Sequence, residues 1–139
     1  MRSLLDTNVL SEVRKPRPDA ALLAWFEAQE ADNLFVSVLT LGEIREGVER
    51  LRAREAGRAQ ALGLWLDDLA TLYGDRVLAI DGRVADEWGR LRAVRLVPVI
   101  DALLAATARV HGLTLVTRNA RDFRGLNVAV LDPTRAAPP

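Results

Sequence analysis

Short apolar runs alternate with stretches of helical periodicity along nearly the whole chain, and that alternation leaves few folds open. Leu4-Leu5 stops at Asp6-Thr7-Asn8, residue types whose side chains bond nearby backbone N–H groups and start helices. A helix over 9–14 follows, and Pro18-Asp19 opens another with Leu22, Leu23, Trp25 and Phe26 at helical spacing to about Gln29. Residues 34–37 are β-prone, and from Thr40 onward Leu41, Ile44, Val48 and Leu51 recur at three and four, the mark of an amphipathic helix. Leu62, Trp65, Leu66, Leu69 and Leu72 form a further stripe that ends at Gly74. Residues 77–80 form a third strand, which Asp81 ends by capping a helix through Val84, Trp88 and Leu91. After Pro98, the Ala-rich stretch 99–110 is apolar nearly all round until His111-Gly112 closes it. Residues 113–116 and 128–131 are the last strands, with a polar loop over 117–125 between them. Runs too short for helices, separated by helices, predict an α/β fold: a mainly parallel five-stranded sheet with helices on both faces.

A chain of 139 residues allows one domain, placed at 1–131, with Asp132 to Pro139 expected as a disordered tail. No apolar run nears the ~18 residues that span a bilayer, and an acid at position 6 interrupts any signal-peptide core, so the expected location is the cytoplasm, with no membrane partner. Without cysteine there is no disulfide, thiolate nucleophile or cysteine-held zinc to consider. Basic and acidic residues balance at 19 each, so no global field draws in a polyanion and any basic footprint must be local. Lys15 is the only lysine, which disfavours phosphate chemistry that needs a lysine late in the chain.

Four acids stand in corresponding places. Asp6 ends the first strand, Glu43 lies one turn into the helix after the second, Asp101 falls in the first turn of the Ala-rich helix, and Asp122 sits in the loop after the fourth strand. Each has a plain alternative. Asp6 can cap a helix, Glu43 can close a capping box with Thr40, Asp101 can complement a helix dipole, and Asp122 can make an Asx turn. The neighbours Val99, Ile100, Leu103 and Leu104 nevertheless predict that Asp101 is enclosed, and enclosed acids need partners. In a parallel sheet all four positions fall on one rim. Carboxylates brought together repel, so such a cluster persists when protons or hard cations neutralise it, and an oxygen-only set suits Mg²⁺ or Mn²⁺. A metal so held activates water and stabilises a phosphoryl oxygen, which points to phosphodiester hydrolysis.

The stretches Leu4-Leu5-Asp6-Thr7-Asn8, Leu41-Gly42-Glu43, Asp101-Ala102-Leu103-Leu104-Ala105-Ala106-Thr107-Ala108, and Leu115-Val116-Thr117-Arg118-Asn119 through Asp122-Phe123 resemble PIN-domain ribonucleases, especially the VapC-type toxins of toxin–antitoxin pairs. The resemblance spans nearly the whole chain. It implies that Asp6, Glu43, Asp101 and Asp122 are the catalytic, metal-binding acids, with Thr7, Asn8, Thr117 and Asn119 as polar supports. It also implies an RNA substrate cut to leave a 5′-phosphate, a small antitoxin protein as partner, and a homodimer. The chain departs from the family's habit at Val99-Ile100, where such proteins often carry a second proline or a small polar residue.

Arg118, Arg121 and Arg124 flank Asp122 and are candidate RNA-phosphate contacts. Arg14, Lys15 and Arg17 read as solvated surface, as does the charged run 45–58. His111 is accounted for by capping, and the aromatic residues by apolar helix stripes. Apolar stripes on more helices than one small sheet can cover, Leu62 to Leu72 above all, predict self-association. Two rival functions remain: phosphoryl transfer with Asp6 as nucleophile, and a PIN-like binding module without activity.

Overall fold

In the computed structural model, which describes residues 1–135, the apolar runs are strands and the periodic stretches are helices. β1 (Ser3–Leu5) leads into α1 (Thr7–Arg14) and α2 (Ala20–Glu27), and β2 (Leu34–Ser37) into α3 (Val38–Arg52) and α4 (Ala56–Tyr73). β3 (Val77–Leu78) precedes α5 (Gly82–Val94) and α6 (Val99–His111), after which come β4 (Thr114–Val116) and β5 (Val130–Leu131). The five strands form one sheet in the order β3-β2-β1-β4-β5, and every pairing is parallel. No helix among the described residues is long and apolar enough to cross a membrane.

The chain builds outward from β1 through β2 to β3, then returns over α5 and α6 to the far side of β1. Strand order therefore reverses between β1 and β4. At such a switch point the connections leave on opposite faces and open a crevice beyond the carboxyl ends of the strands. The register sets Leu5 opposite Val116, so Asp6 and Thr117, the first residues past those strands, stand side by side. The Asp6 N–H continues the ladder by donating to the Val116 carbonyl at 2.9 Å.

Side chains alternate across the sheet and feed two cores. Leu4 and Leu115 pack with Val84, Leu91, Leu104 and Ala105 of α5 and α6. Leu5, Val36 and Val116 pack on the other face with Val9, Leu22, Ile44 and Leu69 of α1 to α4. Burial on both faces is why the central strands read as unbroken apolar runs. Leu4 and Leu5 are each 0% exposed, and truncating either to Ala costs about 2–5 kcal/mol.

The helix starts differ from expectation for reasons of capping. α1 begins at Thr7 rather than at 9, because Asp6 Oδ1 accepts from the Thr7 N–H at 2.7 Å. α3 begins at Val38 rather than Thr40, because Ser37 Oγ accepts from the Leu39 N–H at 3.0 Å. β3 and β5 are shorter than the expected 77–80 and 128–131; as edge strands each is paired on one side only. The tail expected from Asp132 onward is ordered at its start. Asp132 Oδ1 accepts from the Thr134 N–H at 2.9 Å, and Pro133–Arg135 form a 3-10 turn that buries Pro133 and packs on α2. The rest of that expected tail, 136–139, lies outside the described residues.

Candidate active site

Asp6 serves two neighbours at once. One carboxylate oxygen caps α1, while Oδ2 accepts from the Thr117 hydroxyl at 2.8 Å and from Asn8 Nδ2 at 3.4 Å. Asn8 Nδ2 also reaches the Thr117 hydroxyl at 3.3 Å, and Thr117 is fully buried. Thr7, Asn8 and Thr117 thus hold Asp6 in one orientation with neutral donors only. Burial pushes the Asp6 carboxyl above its ordinary range, the bonds from Thr117 and Thr7 oppose that, and the charge of Glu43 adds to it.

Glu43 is not in a capping box. With Ser37 as the cap, Thr40 lies inside α3, and Glu43 Oε1 instead accepts from the Thr7 hydroxyl at 2.7 Å. That hydroxyl lies 3.2 Å from the hydroxyl of the buried Thr40. The helix after β2 and the helix after β1 are joined through one threonine, and the most economical non-functional account of Glu43 falls away.

Asp101 occupies the first turn of α6, but that turn is more open than Val99 and Ile100 suggested: they are 47% and 38% exposed. Pro98 is the N-cap of the helix, and enclosure begins only at Ala102 and Leu104. Asp101 itself is half-buried, and its carboxyl is pushed up by burial first, then by the charges of Asp6 and Asp122. Asp122 lies in a 3-10 turn over Ala120–Phe123, with its N–H donating to the Asn119 carbonyl at 3.0 Å and Phe123 buried beneath. Arg95 Nη2 donates to the carbonyls of Asp122 and Arg124 at 2.8 and 3.0 Å. Asn119 joins through its backbone, its N–H donating to the Thr117 hydroxyl at 3.1 Å.

Repulsion therefore links Glu43 to Asp6, Asp6 to Asp101, and Asp101 to Asp122. Among the described residues none of the four is in a salt bridge. Nor do any three acid, His or Cys side chains among those residues stand close enough to enclose an ion as they are. Glu43 and Asp122 are exposed, Glu43 held by the single bond from the Thr7 hydroxyl, whereas Asp6 is pinned by several donors. The donor set is all carboxylate oxygen, without nitrogen or sulfur and without a compensating cation. That chemistry fits a hard divalent ion.

Beside Asp122 lies a cavity of about 420 Å³ lined by Arg118, Asn119, Arg121, Arg124 and Arg135. A larger hollow of about 640 Å³, floored by Phe123, Val128 and Val130, includes none of the four acids. The three arginines singled out as RNA contacts are not alike. Arg121 and Arg124 are exposed and in no salt bridge among the described residues, but Arg118 Nη1 is bonded at 2.9 Å to Glu12 Oε1. Sequence reasoning passed over Glu12 and Arg95. Glu12 did leave a signal: it follows Asn8 by four residues, and so lies on the same face of α1 as the site, between the apolar Val9 and Val13. Arg95 left none.

Known proteins resemble this chain along most of its length. The PIN domain family model matches residues 3–128. Toxin FitB of Neisseria gonorrhoeae is 32% identical over 136 residues, covering 94% of this chain and 96% of that protein. The VapC ribonuclease Y4jK of Sinorhizobium fredii is 34% identical over 142 residues, covering 96% of this chain and 99% of that one. Among solved structures, FitAcB from Neisseria gonorrhoeae matches with a TM-score of 0.89 at 31% identity, over 96% of this chain and 99% of that chain.

Proposed function

The chain belongs to the PIN-domain family, and we propose that it is a divalent-metal-dependent endoribonuclease, the toxin of a toxin–antitoxin pair acting in the cytoplasm. One observation carries the reading: four carboxylates at the switch-point crevice are linked pairwise by repulsion, and among the described residues none of them is in a salt bridge. The names of its relatives, a VapC ribonuclease and a toxin, supply the substrate class and the biological role.

Asp6, Glu43, Asp101 and Asp122 would hold the ion, and Mg²⁺ or Mn²⁺ bound there would polarise a phosphoryl oxygen and make water nucleophilic near neutral pH. Thr117, Asn8 and the Thr7 N–H fix Asp6 so that its charge is aimed before substrate arrives, and the Thr7 hydroxyl does the same for Glu43. Arg121 and Arg124 would contact RNA phosphates beside the scissile bond. Water adds to phosphorus, the P–O3′ bond breaks, and the fragments carry a 5′-phosphate and a 3′-hydroxyl.

A small antitoxin would restrain the activity, with an inhibitor's Arg or Lys occupying the acid rim. Homodimerisation would cover apolar side chains left bare on the helices, among them Leu64 and Leu72 of α4, which are 59% and 67% exposed. Sedimentation only at 15.3 kDa would exclude the dimer.

The reading is tested by incubating the protein with single-stranded RNA in Mn²⁺, in Mg²⁺ and in EDTA, then mapping the new 5′ ends. Metal-dependent cleavage leaving 5′-phosphates is expected; no cleavage in any condition would leave a binding module, and EDTA-resistant cleavage would remove the metal. The phosphoenzyme alternative is weakened because Lys15, the only lysine, is bonded at 2.8 Å to Glu12 at the far end of α1.

A further inference from the structure

Glu12 is a buried carboxylate the hydrolytic chemistry does not use, its side chain only 7% exposed. Buried acids are costly unless fully partnered, and this one has three donors from three parts of the fold. Oε1 accepts from Arg118 Nη1 at 2.9 Å and from Lys15 Nζ at 2.8 Å, and Oε2 accepts from the N–H of Asp19, the residue that caps α2, at 2.9 Å. Lys15 is local and 58% exposed. Arg118 is the long-range partner, 106 positions away in the chain.

Arg118 is held by α1 at two points. Its backbone N–H donates to Asn8 Oδ1 at 3.2 Å, and its guanidinium reaches Glu12, one helical turn further along. The residue before it, Thr117, donates to Asp6, and the turn four residues after it presents Asp122. The segment that brings Asp122 to the rim thus leaves β4 stapled to the same helix that Asp6 caps, while Arg95 bonds its backbone carbonyls at Asp122 and Arg124.

We infer that Glu12 is a positioning residue for the acid rim: it fixes Arg118, and through it the segment carrying Asp122, against α1. Its kinetic consequence rests on the nuclease reading above; its structural consequence does not. It also reassigns Arg118. A guanidinium committed to a buried carboxylate is part of the scaffold rather than a ligand for RNA phosphate.

The test compares Glu12→Gln, Arg118→Met and the double variant in the full chain. In metal-free protein, amide exchange over 117–125 should quicken about tenfold while β1 and β2 keep their protection. In cleavage assays kcat should fall roughly tenfold with KM within about twofold, and the Mn²⁺ concentration for half-maximal rate should rise, because outer-shell partners act on ligand placement. The double variant should be no worse than either single, since both break one connection. Lys15→Ala, which leaves the Arg118–Glu12 pair intact, should change none of these. Unchanged exchange and kcat in Glu12→Gln overturn the inference. So does a lowered KM at constant kcat, which would mean that Arg118 is an RNA ligand that Glu12 merely masks. If Glu12→Gln does not fold, Arg118→Met carries the same expectations, because Glu12 keeps its bonds to Lys15 and Asp19. A wild type that cleaves nothing removes the nuclease reading and leaves the exchange measurement to decide the positioning role.

Discussion

Asp6 caps the helix on which Glu12 is buried, yet the protein treats the two acids in opposite ways. Asp6 receives only hydroxyl and amide donors, faces the charge of Glu43, and is pushed above the ordinary carboxylate range, with burial as the largest cause. Glu12 collects Lys15, the Asp19 N–H and Arg118, and is held below it, with the bond from Lys15 as the largest cause. Glu12 is the more deeply buried of the two by exposure, so depth alone does not account for the opposite directions; among the described residues Glu12 has cationic partners and Asp6 has none. An enclosed acid that has gathered cations is finished as a structural piece. One left with neutral donors is in a state that only an incoming positive charge, or a proton, relieves.

Replacing the unpaired acid should have the largest effect. Asp6→Asn keeps the cap on α1 and should cut cleavage by orders of magnitude, because a neutral amide cannot set an ion's position. Without metal, this variant should melt a few degrees higher than wild type, as relief of repulsion is worth about 1 kcal/mol at an effective dielectric of ~40. Mn²⁺ should then raise the melting temperature of wild type more than that of the variant. Unchanged melting in both states with persistent cleavage would reduce Asp6 to a cap like any other.

A smaller effect is expected at the free cations. The pair Arg121→Ala and Arg124→Ala should raise KM for single-stranded RNA several-fold and lower the slope of log affinity against log salt by about 1.4 if each meets one phosphate. The Mn²⁺ midpoint should stay put, the reverse of the Glu12→Gln pattern. Equal salt slopes for wild type and double variant would place the RNA elsewhere.

The smallest signal is in stability against pH, and its sign differs between the two acids. Asp6 and Asp101 have folded-state values raised above 3.8, so their contribution is full below 3.8 and is lost as pH rises through the raised values. Glu12 has a folded-state value lowered from 4.5, so its contribution is present above 4.5 and is lost as pH falls through the lowered value. Metal-free protein should therefore gain stability as pH falls through the raised values of Asp6 and Asp101, and lose it as pH falls further through the lowered value of Glu12. Denaturant titrations across that range should show the first limb flattened by Asp6→Asn. A monotonic fall in stability from neutral pH downward would contradict the raised state of the rim.

The strands and the four acids were legible because each depends on few neighbours: a strand buried on both faces is an apolar run, and a carboxylate at its end stands out. Helix starts were less so. Ser37 and Thr40 are both competent caps, and the choice falls to Ser37 because β2 is still paired there, Ser37 opposite Leu78. The openness at Val99 and Ile100 was hidden, since apolar residues in the first turn after a proline are not obliged to face the core. The pairing of Glu12 with Arg118 was hidden for a different reason. A paired guanidinium and a solvated one look the same in sequence when the partner is 106 positions away.

The position of β4 beside β1 also sets a clock. β1 is translated first, yet its β4 neighbour begins at Thr114, and the hydroxyl that orients Asp6 arrives 111 positions after it. Until that segment emerges from the ribosome, β1 can pair with β2 and β2 with β3, but the crevice lacks one wall and Asp122 does not yet exist in space. On the proposed reading, a nascent chain lacks part of its acid rim for most of its synthesis, and the rim is complete only once the fourth strand and the turn after it have docked.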